Sequence, residues 1–472
     1  MAYSHYDRLS ALDSTFLALE SASVHMHVGS VAIFEGSPLH TKDGSPDFER
    51  IRALSEPSLS RSARFRQRIA RVPVFEDPVW VDDASFNLDY HLRHTSLPEP
   101  GDERQLKRLA GRIFSQKLDL RRPLWEMWFV EGLEGGRFAV ISKIHHCLID
   151  GIAGVDLLAG FLGASEQAGS APTGRWIPRP APSPAKLLAD EIARRAAFPA
   201  RAAVAGLRAL GAPLQSLREA RHALEAVGQV LAAGLGSASS TPLNDDVGPH
   251  RRFDWTRMDL AALKEVKARS GGTLNDIVLA IVSGAMRQFL LRRGIAVDDL
   301  DFRAMVPVSV RREAERGKVG NRVVSVAAAL PVGERDPARR VARVIEATQR
   351  FKTSSVVEGG ELLEGLGEWG LTSLMAGFSR LASLTRAFNV VVTNVPGPQV
   401  PLRMLGAKLE AAYPLVPLFT NQCLGIALFS YNGGLYWGFN ADWDAVPDLH
   451  ELVGLLQQEL EVLRKLDVLE TP

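Results

Sequence analysis

The sequence predicts an α/β (α+β) protein built from two halves that are joined by a long helical crossover. At 472 residues the chain is too long for one ordinary hydrophobic core. Strand-like and helix-like segments alternate in residues 1–163 and again in residues 251–472, whereas the composition of residues 164–250 is that of a linker followed by helices. We therefore predict an N-terminal domain at 1–163, a crossover at 164–250 and a C-terminal domain at 251–472.

Hydrophobic periodicity predicts helices and strands in the first half. Apolar residues recur at helical spacing in the predicted helices, and β-forming residues dominate the predicted strands. The helices are predicted at 12–20, 102–118 and 152–162, and the strands at 24–34, 124–132 and 138–145. The last two strands surround Glu134-Gly135-Gly136, which is typical of a hairpin turn.

The crossover changes composition twice. Residues 164–185 carry alternate prolines near their end and predict an extended linker. Residues 186–235 are rich in Ala, Leu and Arg and are interrupted by Pro199 and Pro213, which predicts two or three helices. Small and turn-forming residues at 237–249 predict a loop.

The second half has a similar alternation of elements. Helices are predicted at 259–270, 274–292, 337–351 and 449–463, and strands at 302–308, 323–330, 388–393, 424–431 and 434–440. No short repeat is present, so two α/β halves fit the sequence better than a solenoid.

Composition limits the classes of function. The 55 basic and 54 acidic residues give a formal net charge of +1, which argues against a nucleic-acid partner. The two cysteines, Cys147 and Cys423, allow at most one disulfide and suit a reducing cytosol. We expect no signal peptide, because the N-terminal residues lack an apolar stretch, and no membrane-spanning helix, because no run of about 18 apolar residues occurs.

The most informative segment is His145-His146-Cys147-Leu148-Ile149-Asp150-Gly151, which follows an alternating apolar strand. Successive side chains of a strand point to opposite faces, so one histidine can face a cleft while its neighbour packs or makes a structural hydrogen bond. A neutral imidazole can take a proton from an alcohol at neutral pH. Asp150 could orient an imidazole or bind an arginine, and Gly151 permits a tight turn. The alternative is a pair of partly buried structural histidines.

Other chemistries fit the segment less well. A metal site would need further ligands, and His25, His27, His91 and His94 have no evident metal spacing, so we expect none. Cys147 adjoins a histidine, but neighbouring residues of a strand do not face each other, which favours a buried and inert thiol. No Gly-x-Ser-x-Gly occurs near a strand end, so a serine triad is not supported.

The segment HHCLIDG resembles the His-His-x-x-x-Asp-Gly signature of the coenzyme A-dependent acyltransferase superfamily. More narrowly, the chain resembles the bacterial wax ester synthase/acyl-CoA:diacylglycerol acyltransferases. The supporting motifs are Pro123-Leu124-Trp125-Glu126, Asn275-Asp276, Pro307-Val308-Ser309-Val310-Arg311-Arg312, Gly320-Asn321-Arg322 and Asn394-Val395-Pro396-Gly397-Pro398. These matches run over nearly the whole chain.

The resemblance implies two chloramphenicol-acetyltransferase-like domains, each a mixed sheet with helices, and a tunnel at their interface. It implies that His146 is the general base on the acceptor hydroxyl, supported by His145, and that no acyl-enzyme forms. The acyl donor would be acyl-CoA as co-substrate, with no cofactor and no metal. The acceptor would be a fatty alcohol or a diacylglycerol, giving wax ester or triacylglycerol.

The resemblance also suggests roles for the other motif residues. Asp150 is expected to be structural, in a salt bridge for which Arg311 is the best candidate, with Gly151 in the turn. Asn275 is expected either to cap its helix or to contact substrate. Asn394 has a similar split between structure and substrate contact, and the Val-Pro-Gly-Pro that follows it is expected to form a rigid turn. Trp125 is expected to pack in the core.

Three wider expectations remain. Residues 186–235 could form an interfacial surface on a membrane or lipid droplet, which would place a cytoplasmic protein peripherally at the inner membrane; the alternative is a linker packed on the domains. A homodimer is an open alternative. The competing functions are a condensation-type or polyketide-associated acyltransferase that uses a carrier-protein thioester, and a non-catalytic lipid-binding protein of the same fold.

Overall fold

The structure is a computed structural model, and it describes most of both halves of the chain. The described residues are 6–39, 47–60, 62–148, 176–197, 237–309, 323–352 and 385–466. They form a mixed α/β fold with two six-stranded sheets, as the sequence predicts. The predicted helix at 152–162 lies outside the described residues.

The helices in the described residues are α1 Ala11–Leu19, α2 Phe48–Ser60, α3 Leu88–His91, α4 Glu103–Ser115, α5 Pro184–Ala196, α6 Leu260–Ser270, α7 Leu274–Arg292, α8 Pro337–Lys352 and α9 Leu449–Lys465. The strands of the first half are β1 Asp7–Arg8, β2 His27–Phe34, β3 Gln67–Arg71, β4 Pro78–Asp82, β5 Leu92–Ser96, β6 Trp125–Leu133 and β7 Arg137–His145. Those of the second half are β8 Arg251–Asp259, β9 Phe302–Ser309, β10 Val323–Leu330, β11 Val390–Pro396, β12 Arg403–Met404, β13 Ala407–Leu415, β14 Leu424–Tyr431 and β15 Gly434–Asp442.

The first sheet has the strand order β12-β13-β2-β7-β6-β5. Strands β6 and β7 form the predicted hairpin, and Gly135 and Gly136 adopt positive φ angles of 77° and 68° in its turn. The sheet is mixed, because β5 runs parallel to β6 while its other pairs are antiparallel. The central strand β7 therefore has a neighbour on both sides, which holds its C-terminal end rigidly.

The second sheet has the order β10-β9-β11-β14-β15-β8 and is also mixed. Strand β11 runs parallel to both β9 and β14, and the remaining pairs are antiparallel. Helix α7 lies at the centre of the core of this half, with most of its side chains buried among α8, α9 and the sheet. It is the one helix in the described ranges that is long and apolar enough to cross a membrane, but 78% of its most apolar stretch is buried inside the protein.

Strands β12 and β13 depart from the predicted division at residue 251. They belong to the second half by sequence but complete the first sheet, because β13 pairs antiparallel with β2. A bulge between Leu409 and Ala411 interrupts the alternation that would have marked β13 in the sequence. Strand β13 also crosses β15 so closely that a Cβ on Gly438 would lie 1.8 Å from the Pro414 carbonyl oxygen. The two sheets therefore meet at this crossing.

Helix α5 is the described part of the predicted helical crossover. Ser183 caps it, and Pro184 occupies its first turn, where a missing amide proton costs nothing. Its buried carboxylate, Glu191, pairs with Arg8 of the small three-stranded sheet β1-β4-β3 at 2.7 Å. Helix α5 is thus fixed to the N-terminal half, and residues 198–236 lie outside the described part.

Candidate active site

His146 begins a short 3₁₀ turn, His146–Leu148, at the point where β7 ends. The ladder between β2 and β7 closes with His27 opposite His145. The His146 amide then donates to the Met26 carbonyl at 2.7 Å, which fixes the chain as it leaves the sheet. The turn gives the two adjacent histidines different surroundings.

The His146 imidazole is held against helix α1. Its ring stacks on Phe16 with 3.8 Å between ring centroids and 25° between planes. Part of the residue is exposed, and Nδ1 is buried with no hydrogen-bond partner in the described part of the chain. Burial lowers the pKa of His146 to about 4, and the nearby His145 adds to this effect. The imidazole is therefore neutral near pH 7, the form that accepts a proton.

His145 has a different environment, because its side chain is fully buried. Its Nδ1 accepts a hydrogen bond from the Cys147 amide at 3.1 Å, so the proton of the neutral ring lies on Nε2. That Nε2 lies 3.4 Å from Oε1 of Glu20. The ring thus lies between the turn that carries His146 and a buried carboxylate.

Glu20 is the residue that sequence reasoning missed. It caps the C-terminal end of α1, and its side chain is 2% exposed. Burial alone would raise its pKa, but His145 and Lys117 outweigh that effect and lower the pKa, so Glu20 is ionised. The Lys117 ammonium lies 2.9 Å from Oε2. No motif signalled this pair, because 125 positions separate Glu20 from His145 in the sequence.

His27 completes the group of histidines at this end of the sheet. Its Nε2 lies 3.8 Å from Glu20 Oε1, but it accepts the Leu118 amide proton and carries no proton of its own. Burial holds the pKa of His27 well below its ordinary value. The lone pairs of His27 Nε2 and Glu20 Oε1 therefore repel each other. Glu20 attracts the imidazole of His145 and not that of His27.

Cys147 and Trp125 pack as the sequence predicts. Cys147 is 2% exposed, and burial raises the pKa of its thiol well above the ordinary value, so it is a poor nucleophile. Trp125 is fully buried, stacks on His91 with centroids 4.6 Å apart, and donates from Nε1 to the Phe65 carbonyl at 2.8 Å. It supports the sheet next to β7.

The expectation that Asn275 caps its helix is wrong. Thr273 is the N-cap of α7, because its hydroxyl accepts from the Asp276 amide while the Asp276 carboxylate accepts from the Thr273 amide. Asp276 also accepts a hydrogen bond from the Thr348 hydroxyl at 2.7 Å, which ties α7 to α8. Asn275 lies one residue inside the helix, partly exposed, and its amide makes no hydrogen bond to another described residue.

Asn394 lies on β11, opposite Leu428 of β14, and is partly exposed. Its side chain also makes no hydrogen bond within the described ranges. The loop after it must approach β14 closely, since a Cβ on Gly397 would lie 2.4 Å from both the Phe429 ring and the Ser430 carbonyl. Only glycine fits there, which explains the glycine of the Pro-Gly-Pro sequence in structural terms.

Three predicted site residues, Asp150, Gly151 and Arg311, lie outside the described residues. Their predicted ion pair and turn remain predictions. Among the residues that the structure does describe, no group of three or more His, Cys, Asp or Glu side chains is arranged to hold a metal ion.

Two family models together match most of the chain. The wax ester synthase/diacylglycerol acyltransferase catalytic domain matches residues 9–278, and the C-terminal domain of the same family matches residues 319–464. The first match includes α1 and both histidines, and the second begins a few residues before β10. Both lie on segments whose motifs resemble this family in the sequence.

Related proteins and solved structures agree with these matches. Two Mycobacterium tuberculosis proteins named as probable diacylglycerol O-acyltransferases are 35% identical over 97% of this chain and 99% of their own, and 31% identical over 94% and 93%. The wax ester synthase/diacylglycerol acyltransferase from Marinobacter aquaeolei VT8 superposes with a TM-score of 0.67 at 26% identity, covering 97% of this chain and 98% of that one. The first condensation domain of the CDA synthetase shares the fold alone, with a TM-score of 0.56 at 17% identity over 100% and 98% of the chains. The protein is an acyltransferase, and it belongs to the wax ester synthase/diacylglycerol acyltransferase family.

Proposed function

We propose that the protein transfers a long-chain acyl group from acyl-CoA to the hydroxyl of a fatty alcohol or a diacylglycerol. The product is a wax ester or a triacylglycerol. The observation that carries this proposal is the state of His146: a neutral imidazole, on a partly exposed residue, at the rigid end of a central strand. The names of the relatives supply the substrate classes.

In the proposed reaction His146 accepts the proton of the acceptor hydroxyl. The oxygen attacks the thioester carbonyl, the carbon–sulfur bond breaks, and protonated His146 gives its proton to the departing thiolate of CoA. No covalent enzyme intermediate is required, which agrees with the burial of Cys147 and the raised pKa of its thiol. Holding donor and acceptor together contributes much of the rate, about 7–11 kcal/mol for well-oriented reactants.

The remaining site residues have proposed supporting roles. The side-chain amides of Asn275 and Asn394 are the proposed polar contacts to substrate in a tunnel between the two domains. Both are partly exposed and make no hydrogen bond within the described ranges, so a substrate oxygen could use them. Asp150 and Arg311 are the proposed ion pair that fixes the turn after His146.

The surroundings of the enzyme follow from its substrates. Fatty alcohols and diacylglycerols are found in membranes, so we propose a cytoplasmic protein with peripheral contact to the inner membrane or to lipid droplets. The crossover 186–235 is the proposed contact region, because its Leu and Ala residues are interspersed with Arg. The exposed Ile192 of α5 supports this role, since it offers apolar surface on a helix whose other face is fixed to the protein.

Free thiol release tests the function directly. Purified protein is mixed with palmitoyl-CoA and either hexadecanol or a diacylglycerol, and the ester product is identified by chromatography. His146→Ala should lose activity by about 10²–10⁴-fold, the usual contribution of a general base. Thiol release without any ester, or none with either alcohol, would overturn the proposal. Activity only with an acyl carrier protein as donor would favour the condensation-type alternative.

A further inference from the structure

Helix α1 lies against the turn that carries His146 and contacts both histidines. Phe16 stacks on His146, and Glu20, one turn later, reaches His145. Because the helix presents residues four apart on the same face, a single element can hold both imidazoles. Ser10 anchors its N-terminus by accepting the Asp13 amide at 3.0 Å.

The contact between Glu20 and His145 joins a buried acceptor and a buried donor. His145 Nε2 and Glu20 Oε1 have no aligned hydrogen-bond partner in the described part of the chain, and they face each other at 3.4 Å. The proton of His145 is on Nε2, because Nδ1 accepts from Cys147. A buried carboxylate beside a buried N–H is a strong attraction where little water screens it.

We infer that Glu20 is a positioning residue for the proposed base. Its carboxylate holds His145 in the Nε2-protonated tautomer, and His145 in turn holds the Cys147 amide through Nδ1. That hydrogen bond fixes the 3₁₀ turn, and so fixes the direction in which the His146 ring points. This inference rests on the proposed function of His146.

The charges around Glu20 are consistent with this role. Lys117 balances the carboxylate at 2.9 Å from the other oxygen, while His27 is neutral and donates nothing to it. His25 lies next to His27, with ring centroids 5.4 Å apart, and burial lowers its pKa. The charges of Glu20 and Lys117 therefore neutralise each other, and Oε1 of Glu20 is left to face His145.

Two conservative variants separate position from charge. Glu20→Gln keeps the length and an acceptor oxygen, whereas Glu20→Asp keeps the charge but withdraws it by one methylene. We expect Glu20→Asp to lower kcat by about 10–100-fold, since a misplacement of about 1 Å can cost 10²-fold. Glu20→Gln should stay within about tenfold of wild type, because its side-chain oxygen can still accept a hydrogen bond from His145. The expected loss is small but not zero, since a neutral hydrogen bond is roughly half as strong as a charged one. KM for palmitoyl-CoA should not change in either variant.

Glu126 provides the matched control. It is also a buried carboxylate beside a lysine, 3.3 Å from Lys143, but it lies on β6 and contacts neither His145 nor His146. Glu126→Gln and Glu126→Asp should lower the melting temperature without changing kcat per folded molecule. Glu20→Asp at full kcat, Glu20→Gln as impaired as Glu20→Asp, or an equal loss at Glu126 would overturn the inference. His146→Ala separates the two proposals. Full activity in this variant would show that His146 is not the general base, whatever the results for the Glu20 variants.

Discussion

The Phe16 ring covers one face of the His146 imidazole at a centroid distance of 3.8 Å. This contact excludes water from that face of the ring, and burial is the main cause of the low pKa of His146, about 4. A neutral imidazole is the active form of a base, so protonation stops the reaction. The pH at which kcat/KM falls on the acid side therefore reports on the contact between Phe16 and His146.

We expect kcat/KM to stay level from pH 7 to about 5 and to fall only near pH 4, well below the ordinary histidine value of 6.5. Phe16→Ala admits water, so the acid limb should move toward 6.5, the ordinary value. Phe114→Ala is the control and should leave the limb in place, because Phe114 lies in the same core but its ring packs against Phe253 at 5.5 Å between centroids. A wild-type limb at 6.5 would contradict the low pKa.

His91 should make stability depend on pH. Burial lowers its pKa to about 4, so the unfolded chain binds a proton that the folded protein refuses. Stability is complete above pH 6.5 and is lost as the pH falls toward 4. His91 should contribute about 2 kcal/mol of the loss between pH 7 and 5.

Urea denaturation at the two pH values measures this contribution. His91→Asn can still donate to the Trp125 carbonyl, which His91 contacts at 2.8 Å, but it does not titrate. The variant should be less stable at pH 7 and should lose less stability on acidification than wild type. His450→Asn, at a side chain that is 90% exposed, is the control and should follow the wild-type curve. An unchanged pH dependence in His91→Asn would show that His91 titrates normally.

The crossing of β13 and β15 should be intolerant of any side chain at Gly438. A Cβ there would lie 1.8 Å from the Pro414 carbonyl oxygen, and backbone atoms cannot give way as a flexible side chain can. Gly438→Ala should therefore cost about 1–3 kcal/mol or prevent folding. Gly454→Ala in α9 meets nothing within 4 Å and should stabilise by about 0.5–1 kcal/mol. Denaturation midpoints compare the two, and equal effects would contradict the close crossing.

Local signals in the sequence were sufficient for much of the fold. The bounds predicted for α7, β10 and β14 are those observed, because each is a continuous periodic run. Strand β13 was not predicted, since a bulge and Pro414 break its pattern and its partner β2 is far away in sequence. The site shows the same limit. Adjacent histidines are visible in the sequence, whereas the contact between Glu20 and His145 exists only after folding.

The cap of α7 is marked by a local pattern in the sequence. Thr273 and Asp276 have the spacing of a capping box, and this pattern identifies Thr273, not Asn275, as the first residue of the cap. Asp276 is needed twice, for the cap and for Thr348, so its role is structural. Asn275 does not take part in the capping box, so contact with substrate remains the role proposed for it.

The proposed membrane contact can be tested without disturbing α5. Because Glu191 of α5 is paired with Arg8, and Arg195 of α5 with Asp77, deletion of the whole segment 186–235 would also damage the N-terminal half. Deletion of 200–235 spares these ion pairs and should reduce flotation with vesicles that contain anionic lipid. Thiol release with a short, water-soluble alcohol is the folding control and should persist. Unchanged flotation would rule out residues 200–235 as the contact.

The predicted ion pair between Asp150 and Arg311 should be costly to break from one side. Removing one member of a partly buried pair leaves a charge without a partner, at about 3–5 kcal/mol, so Asp150→Ala should lower both soluble yield and rate. The reversed pair, Asp150→Arg with Arg311→Asp, should recover part of both. Asp89→Ala is the control, because Asp89 and Arg52 form an exposed pair worth at most about 1 kcal/mol. If Asp150→Ala folds normally with full activity, Asp150 does not anchor the turn after His146.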